Sequence, residues 1–542
     1  MFIRFGFLGT LLSGCLLLFL FVKFHNVLRN LSVAPSRGPP LLKLEPIAEH
    51  PVKTLVEKAE KEFDQMLNRQ SDTYKQATAE YRRRYGRPPP PGFDHWYEYA
   101  IAEKSPIIDD FDVVERAIEP FLALSGAEVA KTLQEAQDDR GFDTWSCRVE
   151  SGRMMPGCEH LGEENLRVLA DLRILSHLPN MEMLINALDE PRVLLLGRKP
   201  TSRVKRGAAS FQWTDKSHRE VWKEVVAKQC KGSTYSSRNV TSNIAGLPLV
   251  QDIHDAKDLC QHPEYEHMHG FWESPTTFKM TNSPVPLLSP AVLSTMSDIP
   301  FPGVDYNSGY YSYDANEDIP WEQKSDGLYW AGKTTGGFHE ASEDDHWIQH
   351  HRQRFVSLAN DIYPRSHAYF QRASEELGWK PVIKDLLNAD TYHVYFTDVV
   401  QCENDETCNA VRDYFGVHEA DPRSESFKYT LNFDLDGNGH SARFYRLLAS
   451  NSLPLKQTVF KEWHDDRLIP WVHYVPISLA MDELPEVVRY LTEEEEGKKI
   501  ARKLAVNGQV WSRKALKPVV YLYRLMLELA MITDPDRKAG ES

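Results

Sequence analysis

Apolar and polar residues alternate most clearly in residues 427–433, which predicts a β-strand. The apolar residues occupy every second position there: Phe427, Tyr429, Leu431 and Phe433. Gly and Asn in residues 436–439 then favour a tight turn. Ser441 is a suitable N-cap for a helix over residues 441–450, whose apolar residues fall on one face. The pattern predicts strand, Gly-rich turn and helix, and the start of such a helix is an anion site.

Similar patterns predict further strands and helices along the chain. The predicted strands are residues 181–185, 192–196, 328–330, 453–457 and 471–477. The predicted helices are residues 163–177, a helix containing Trp347, His351, Arg352, Phe355 and Leu358, and residues 483–492, 497–506 and 519–531. A charged helix with few apolar residues, which we expect to pack weakly, covers residues 52–84. Alternation of strands and helices is typical of an α/β protein with a mostly parallel sheet.

The chain has 542 residues, which favours two domains with appendages over one core. We place a Pro-rich stem with the charged helix at residues 30–92, and two α/β regions at 93–325 and 326–542. The net charge of −15 argues against a general nucleic-acid-binding protein. A negatively charged ligand would therefore need a pocket with its own local positive charge.

The N-terminal segment predicts the compartment. Residues 5–22 are apolar and uncharged, and Lys23, His25 and Arg29 follow without a clear cleavage motif. This favours an uncleaved signal-anchor within residues 1–29, with a cytosolic tip, over a cleaved signal peptide. We expect a type II Golgi or ER membrane protein with a luminal body.

The cysteines and two sequons agree with a luminal body. The six cysteines beyond the anchor form three close couples: Cys147 and Cys158, Cys230 and Cys260, and Cys402 and Cys408. An even set is typical of disulfides in an oxidising compartment. Zinc is the alternative, although no C-x-x-C pair is present. Asn30 and Asn239 begin N-glycosylation sequons.

Two Gly-rich turns follow strands in the second α/β region, at residues 332–337 and 437–439. Ligands of open α/β sheets bind at the carboxyl ends of the strands, so both turns can face one crevice. Arg352 and Arg443 could flank a diphosphate there, because guanidinium groups bind phosphate well. The spacing matches neither the dinucleotide fingerprint nor the P-loop.

Three carboxylates are candidates for chemistry. Asp434 and Asp436 form a D-x-D pattern, which holds a divalent metal in some sugar transferases but is also common in turns. Asp189 follows the predicted strand at residues 181–185 and so lies near the carboxyl edge of a sheet. A carboxylate there can accept a proton from a hydroxyl, although an ordinary loop aspartate fits the sequence as well.

Several motifs resemble those of family 90 glycosyltransferases, which include fungal capsule-associated xylosyltransferases and Rumi-type animal protein O-glucosyltransferases. The motifs are YTLNFDLDGNGHSARFYRLLASNSLPLK, EWHDDRLIPWVHYVPI, LYWAGKTTGG with a downstream HRQR, and YRRRYGRPPPPGFDHWYEYA. The resemblance extends from about residue 81 to 526 and is closest to fungal members.

The resemblance implies a GT-B fold, in which two Rossmann-like domains face a cleft: an acceptor-side domain at residues 93–325 and a nucleotide-sugar-binding domain at 326–542. It implies an inverting UDP-sugar-dependent transferase without a metal cofactor. The donor would be UDP-xylose or UDP-glucose, with xylose favoured by the fungal motifs, and the acceptor a glycan or glycoprotein.

The resemblance also implies roles for individual residues. LPNMEMLINALDEP resembles the segment with the catalytic carboxylate, which makes Asp189 the general base. The implied UDP-sugar-binding residues are Gly332, Lys333, Thr334, Arg352, Gly439, Ser441 and Arg443. Arg354 is an alternative to Arg352. The family usually has Arg where Ala331 stands and often Ser where Lys333 stands. A metal-dependent transferase and a non-catalytic glycan-binding protein remain the alternatives.

Overall fold

A computed structural model provides the fold. It describes residues 46–138, 143–161, 171–195, 211–230, 244, 246–304, 311–341, 345–374 and 376–540. The predicted anchor, both sequons and the first part of the predicted helix at 163–177 lie outside the described residues. Within the described residues, no helix is both long enough and apolar enough to cross a membrane.

Strands and helices alternate through most of the described chain. The strands are β1 Thr144–Glu150, β2 Arg153–Met154, β3 Met181–Asn186, β4 Thr214–Asp215, β5 Lys279–Met280, β6 Leu287–Ser289, β7 Ile299–Pro300, β8 Ser325–Lys333, β9 His367–Ser374, β10 Gly378–Lys384, β11 Tyr392–Asp398, β12 Tyr429–Leu435, β13 Leu453–Gln457 and β14 Val475–Ile477. The helices are α1 Pro51–Asn68, α2 Tyr74–Tyr85, α3 Phe93–Ala102, α4 Asp112–Leu122, α5 Gly126–Asp138, α6 Leu172–Leu175, α7 Ile253–Ala256, α8 Gly270–Glu273, α9 His351–Ala359, α10 Asp405–Phe415, α11 Phe444–Ala449, α12 Leu484–Glu493, α13 Glu495–Ala515 and α14 Pro518–Thr533.

The second α/β region contains an all-parallel sheet of five strands in the order β11-β8-β12-β13-β14. In chain order this is 2-1-3-4-5, a doubly wound arrangement whose order reverses between β8 and β12. The strand expected at 453–457 is confirmed. The strand expected at 471–477 is wrong except for its last three residues, because Trp471 has a left-handed backbone with φ +63°.

The first α/β region contains a mixed five-stranded sheet in the order β2-β1-β3-β6-β7. Strands β3, β6 and β7 are parallel, whereas β1 is antiparallel to both of its neighbours. The strand predicted at 181–185 is confirmed as β3. The strand predicted at 192–196 is wrong for the described residues, in which Val193 forms only a single bridge with Thr281.

The prediction of one weakly packed helix at 52–84 is wrong. Two helices, α1 and α2, form there, and α1 buries one face, made by Val52, Leu55, Val56 and Ala59. These residues recur at helical spacing, and they join the hydrophobic core of the second region together with Leu328 and Phe355.

The C-terminal helix packs against the opposite region. α14 buries Tyr521, Tyr523 and Leu525 in a hydrophobic core. The same core contains Trp96 of α3 and Phe111, the residue before α4. The two ends of the described chain therefore each pack on the α/β region that is distant in sequence. This connects both regions into one folded unit.

All three predicted cysteine couples are disulfides, and zinc binding by these residues is excluded. The bridges are Cys147–Cys158, Cys230–Cys260 and Cys402–Cys408. The last bridge ties the loop after β11 to helix α10, and Cys402 pairs with His339, which follows the first Gly-rich turn.

Candidate active site

The two Gly-rich turns meet at the point where the strand order of the parallel sheet reverses. One turn follows β8 and the other follows β12, and these strands are neighbours. The Gly336 N–H donates to Asn438 Oδ1 at 3.0 Å, which joins the turns directly. A Cβ at Gly336 would lie 3.1 Å from the Gly437 carbonyl oxygen. This is the position at which open α/β sheets bind ligands.

The start of the helix after β12 differs from the prediction. α11 begins at Phe444 and has six residues, and its N-cap position is Arg443, without a side-chain cap. Ser441 is not the cap, because its hydroxyl donates to Asp434 Oδ1 at 2.6 Å. The predicted Ser441 cap is therefore wrong, and an anion site at this turn stays a prediction. Arginine side chains are the anion-binding groups that remain in this turn.

Arg352, on α9, forms hydrogen bonds with both turns. Its guanidinium donates to the Asp436 carbonyl at 2.7 Å, the Lys333 carbonyl at 2.9 Å and Thr335 Oγ1 at 2.7 Å. The side chain is buried, and burial together with the nearby Arg443 lowers its pKa to about 9. Arg352 thus fixes the loops, and its positive charge remains beside the crevice.

Arg443 also packs against the Trp330 ring. The two guanidinium carbons are 5.7 Å (Arg352) and 5.5 Å (Arg443) from the ring centroid. Arg443 is half-buried and donates to the Ala331 carbonyl at 2.8 Å. Within the described chain, neither arginine forms a salt bridge. Two neighbouring cations without a carboxylate partner create a local positive potential despite the acidic chain.

The other predicted donor-binding residues of the first turn have different contacts. Lys333 is exposed and pairs with Asp398 at 3.1 Å. The Thr334 N–H donates to the Asp398 carbonyl at 3.2 Å, and its hydroxyl bonds to Val400. The Thr334 amide is therefore engaged with the chain after β11.

Arg354 is a structural residue. Its guanidinium donates to the carbonyl oxygens of Met268, Leu479 and Ala480 at 3.0–3.3 Å. These contacts direct it away from the two turns, whereas Arg352 contacts both. Of the two alternatives for the arginine beside the donor, the geometry favours Arg352.

The D-x-D carboxylates lie buried at the end of β12. Asp434 accepts from Ser441 and from Lys456 Nζ, the latter at 2.9 Å. Asp436 accepts from the Val459 N–H at 2.9 Å, and burial raises its pKa to about 7. The Lys456 ammonium already occupies the cation position beside Asp434. Both carboxylates therefore stabilise the turn through buried hydrogen bonds.

Asp189 lies directly against the second turn. A Cβ at Gly439 would come within 2.2 Å of the Asp189 carbonyl oxygen and 3.4 Å of its Cβ. Asp189 itself is exposed, whereas the next residue, Glu190, is buried. The end of β3 in the first sheet therefore meets the end of β12 in the second. The structure brings Asp189 to the crevice that Gly439 and Arg443 border.

Four residues at this junction were not singled out from the sequence. Thr276 Oγ1 donates to Asn438 Oδ1 at 3.3 Å, and Thr277 donates to Glu190 through both its N–H and its hydroxyl. Asn438 could have been suspected, since it lies inside the Gly-rich turn. The threonines and Glu190 carry no sequence signal, because their partners are distant in the chain.

The geometry thus brings two arginines, two Gly-rich turns and an exposed aspartate, contributed by two α/β regions, to one place in the fold. Residues 368–532 match the model of Glycosyl transferase family 90. This region of the chain is therefore similar to family 90 glycosyltransferases, as the motifs indicated. The matched range contains Gly439, Ser441 and Arg443; Asp189 and Arg352 precede it.

Similarity to individual proteins covers a shorter part of the chain. It is 37% identical over 108 residues to protein O-glucosyltransferase 3 of Mus musculus, 29% over 120 residues to protein O-glucosyltransferase 2 of Danio rerio, and 33% over 108 residues to the O-glucosyltransferase rumi homolog of Aedes aegypti. These segments are 19%, 21% and 19% of this chain and 21%, 23% and 25% of the relatives' own lengths. The chain thus matches about a quarter or less of each relative.

Proposed function

We propose that the protein is an inverting glycosyltransferase that moves a sugar from a UDP-sugar to a hydroxyl group of a glycan or glycoprotein. The observation that carries the proposal is the contact between Asp189 and the Gly439 turn. This contact supports a role for the Asp189 carboxylate next to the turn that carries Arg443, and Arg443 and Arg352 form no salt bridge within the described residues. A negatively charged donor and a base for the acceptor would meet there.

In the proposed reaction, Asp189 removes the proton of the acceptor hydroxyl as its oxygen attacks the anomeric carbon. UDP leaves from the opposite face, so the configuration inverts. Arg443 would bind the diphosphate, and Arg352 would add positive charge while it holds both turns in place. In this proposal the two regions are the two domains of a GT-B fold, with the donor on the C-terminal side.

We propose that the reaction needs no metal ion. The support is the environment of the D-x-D carboxylates: Asp434 is already bonded to the Lys456 ammonium, and Asp436 to the Val459 amide. Transfer by the purified protein should therefore continue in excess chelator. Loss of transfer that returns with a divalent cation would favour the metal-dependent alternative.

The donor sugar is proposed to be glucose or xylose. The printed names of the relatives describe O-glucosyltransferases, which supports glucose and a protein acceptor. The resemblance to fungal xylosyltransferases supports xylose and a glycan acceptor. A panel of UDP-sugars, assayed with the purified protein for UDP release, distinguishes these donors. Release of UDP from none of them would favour the non-catalytic glycan-binding alternative.

The proposed location is the Golgi or ER membrane, with the body in the lumen. The three disulfides support an oxidising compartment. Protease added to intact microsomes should leave the body protected until detergent is added. Digestion without detergent would contradict this location.

The decisive variant is Asp189→Asn, which preserves size but cannot accept a proton. Removal of a general base costs on the order of 10²–10⁴ in rate. UDP binding, measured by calorimetry, should match that of the wild type because the arginines are unchanged. Asp413→Asn, an exposed position on α10, is the control. Full transfer by Asp189→Asn would place the base elsewhere, and joint loss of UDP binding would make the residue structural.

A further inference from the structure

Thr276 and Thr277 are adjacent residues that contact opposite sides of the candidate site. Thr276 reaches the donor turns, and Thr277 reaches the loop that carries Asp189. They lie in the loop between α8 and β5, outside both Gly-rich turns. Because the two residues are adjacent, their contacts connect the two sides through one short stretch of backbone.

On the base side, the Asp189 loop is held at both ends. The Leu188 N–H donates to Asn186 Oδ1 at 3.1 Å, and Asn186 Nδ2 donates to the Glu190 carbonyl at 2.7 Å. The Glu190 carboxylate, 1% exposed, accepts from the Thr277 N–H at 3.1 Å and from the Thr277 hydroxyl at 2.7 Å. A buried carboxylate that loses a donor pays a desolvation penalty, so this contact strongly favours one loop position.

On the donor side, a single oxygen atom connects three segments. Asn438 Oδ1 accepts from the Thr276 hydroxyl at 3.3 Å and from the Gly336 N–H at 3.0 Å. Asn438 belongs to the turn after β12, and Gly336 to the turn after β8. The Thr276 hydroxyl therefore joins both donor turns to the loop that also holds Glu190.

We propose that Thr276 and Thr277 are positioning residues that set the distance between the Asp189 carboxylate and the bound donor. The role rests on the proposed function, because it concerns the alignment of that donor with that base. Thr277 acts on Asp189 through Glu190, and Thr276 acts on the donor through Asn438. Alignment matters steeply, since a displacement of about 1 Å can cost on the order of 10² in rate.

The first test needs no activity. Thr276→Val and Thr277→Val each remove a hydroxyl and keep the shape of the side chain. Hydrogen exchange of the full-length protein, followed by mass spectrometry, should be about tenfold faster in the peptide with Gly336 for Thr276→Val. For Thr277→Val, the faster peptide should be the one containing Leu188 and Glu190. Unchanged exchange rates in both peptides would overturn the proposal. This outcome does not depend on whether the wild-type protein transfers a sugar.

The second test separates donor binding from chemistry. Thr276→Val should raise the KM for the UDP-sugar about tenfold, because the donor turns loosen. Thr277→Val should lower kcat about tenfold with little change in that KM, because the base loop shifts. Thr276→Ser and Thr277→Ser should restore each parameter, since serine retains the hydroxyl. A structural role alone would produce neither this split nor the rescue.

Thr281→Val is the matched control. Thr281 lies in the same stretch of chain and is buried, and its hydroxyl accepts from the Ser283 N–H at 3.1 Å, away from both loops. It should leave KM and kcat at wild-type values. Equal kinetics for all three valine variants would overturn the positioning role. If the wild type transfers no sugar, the proposed function fails, and the exchange test still decides whether the threonines tie the loops.

Discussion

The most unusual residues of the site are two arginines that form no salt bridge with a carboxylate of the described residues. Arg352 is buried and its pKa is lowered to about 9 by burial and by Arg443. Holding two cations near one ring is unfavourable unless an anion is bound. A bound phosphate group would relieve this repulsion, which supports the proposed UDP-sugar donor.

We expect Arg443→Ala to weaken UDP binding. A charge-assisted contact to phosphate is worth about 1.5–3 kcal/mol, or roughly tenfold to a hundredfold in affinity. Calorimetry with UDP measures the effect directly. Arg83→Ala removes an exposed arginine that pairs with Glu80 and should bind UDP like the wild type. Unchanged affinity of a folded Arg443→Ala variant would place Arg443 outside the site.

Glu190 should make stability depend on pH. Burial, and secondarily the Asp189 charge, raises its pKa to about 7 from 4.5. The folded state thus binds the proton more tightly than the unfolded state, so the free energy of unfolding should fall as pH rises from about 4.5 to about 7.

Glu190→Gln removes this contribution. The difference in the free energy of unfolding between the variant and the wild type should change across that window by on the order of 3 kcal/mol. Denaturant unfolding at several pH values measures it. Glu340→Gln, at an exposed position, should follow the wild-type curve. A constant difference between Glu190→Gln and the wild type would contradict the raised pKa.

At the scale of elements, the second Gly-rich turn is shaped by contact across the crevice. Gly439 has no positive φ, and its requirement is space: an added Cβ would meet the Asp189 carbonyl oxygen at 2.2 Å. A Cβ added at Gly437, in the same turn, would lie 3.4 Å from its nearest neighbour, Arg352 Nη2. The two glycines therefore tolerate a methyl group very differently.

Gly439→Ala should separate the donor turn from the base loop and lower kcat/KM by about 10². Gly437→Ala should have a much smaller effect, because its Cβ would make ordinary contacts. Steady-state kinetics, with thermal unfolding to verify folding, compares the pair. Equal activity of the two variants would show that the Asp189 contact is unimportant for transfer.

At the scale of the whole molecule, the two regions are held together by helices from the ends of the chain. Glu528 on α14 is 1% exposed and accepts hydrogen bonds from Tyr81 and Arg87 of the N-terminal part and from Arg524. This buried network joins the start of the described chain to its end. Its integrity should affect the folding of the complete molecule.

Glu528→Gln should lower the free energy of unfolding by about 3–5 kcal/mol, because buried Arg524 loses the carboxylate it pairs with and Arg87 retains only Glu115. Chemical denaturation followed by tryptophan fluorescence measures the loss. Glu322→Gln disrupts an exposed ion pair with Arg502 and should cost less than about 1 kcal/mol. Similar stability of both variants would contradict the importance of the buried network.

The sequence by itself determined the local features of this protein. Period-two apolar residues predicted β12, and β13 and β3 were found at their expected places, because buried strands depend on local pattern. Short separations predicted the three disulfides. Family motifs pointed to the region that matches the family 90 model, where Arg443 lies in the crevice.

Only the tertiary structure decided which of these residues meet. Ser441 was expected to cap a helix, but Asp434 and Lys456 draw its turn inward, so α11 starts later. The helix at 52–84 was expected to pack weakly because its apolar residues are few, and its packing partner, the core around Leu328, is hundreds of residues away. The contacts of Asp189 with Gly439 and of Thr277 with Glu190 likewise join distant segments. Local propensity carries no information on such contacts, which depend on how the two sheets pack.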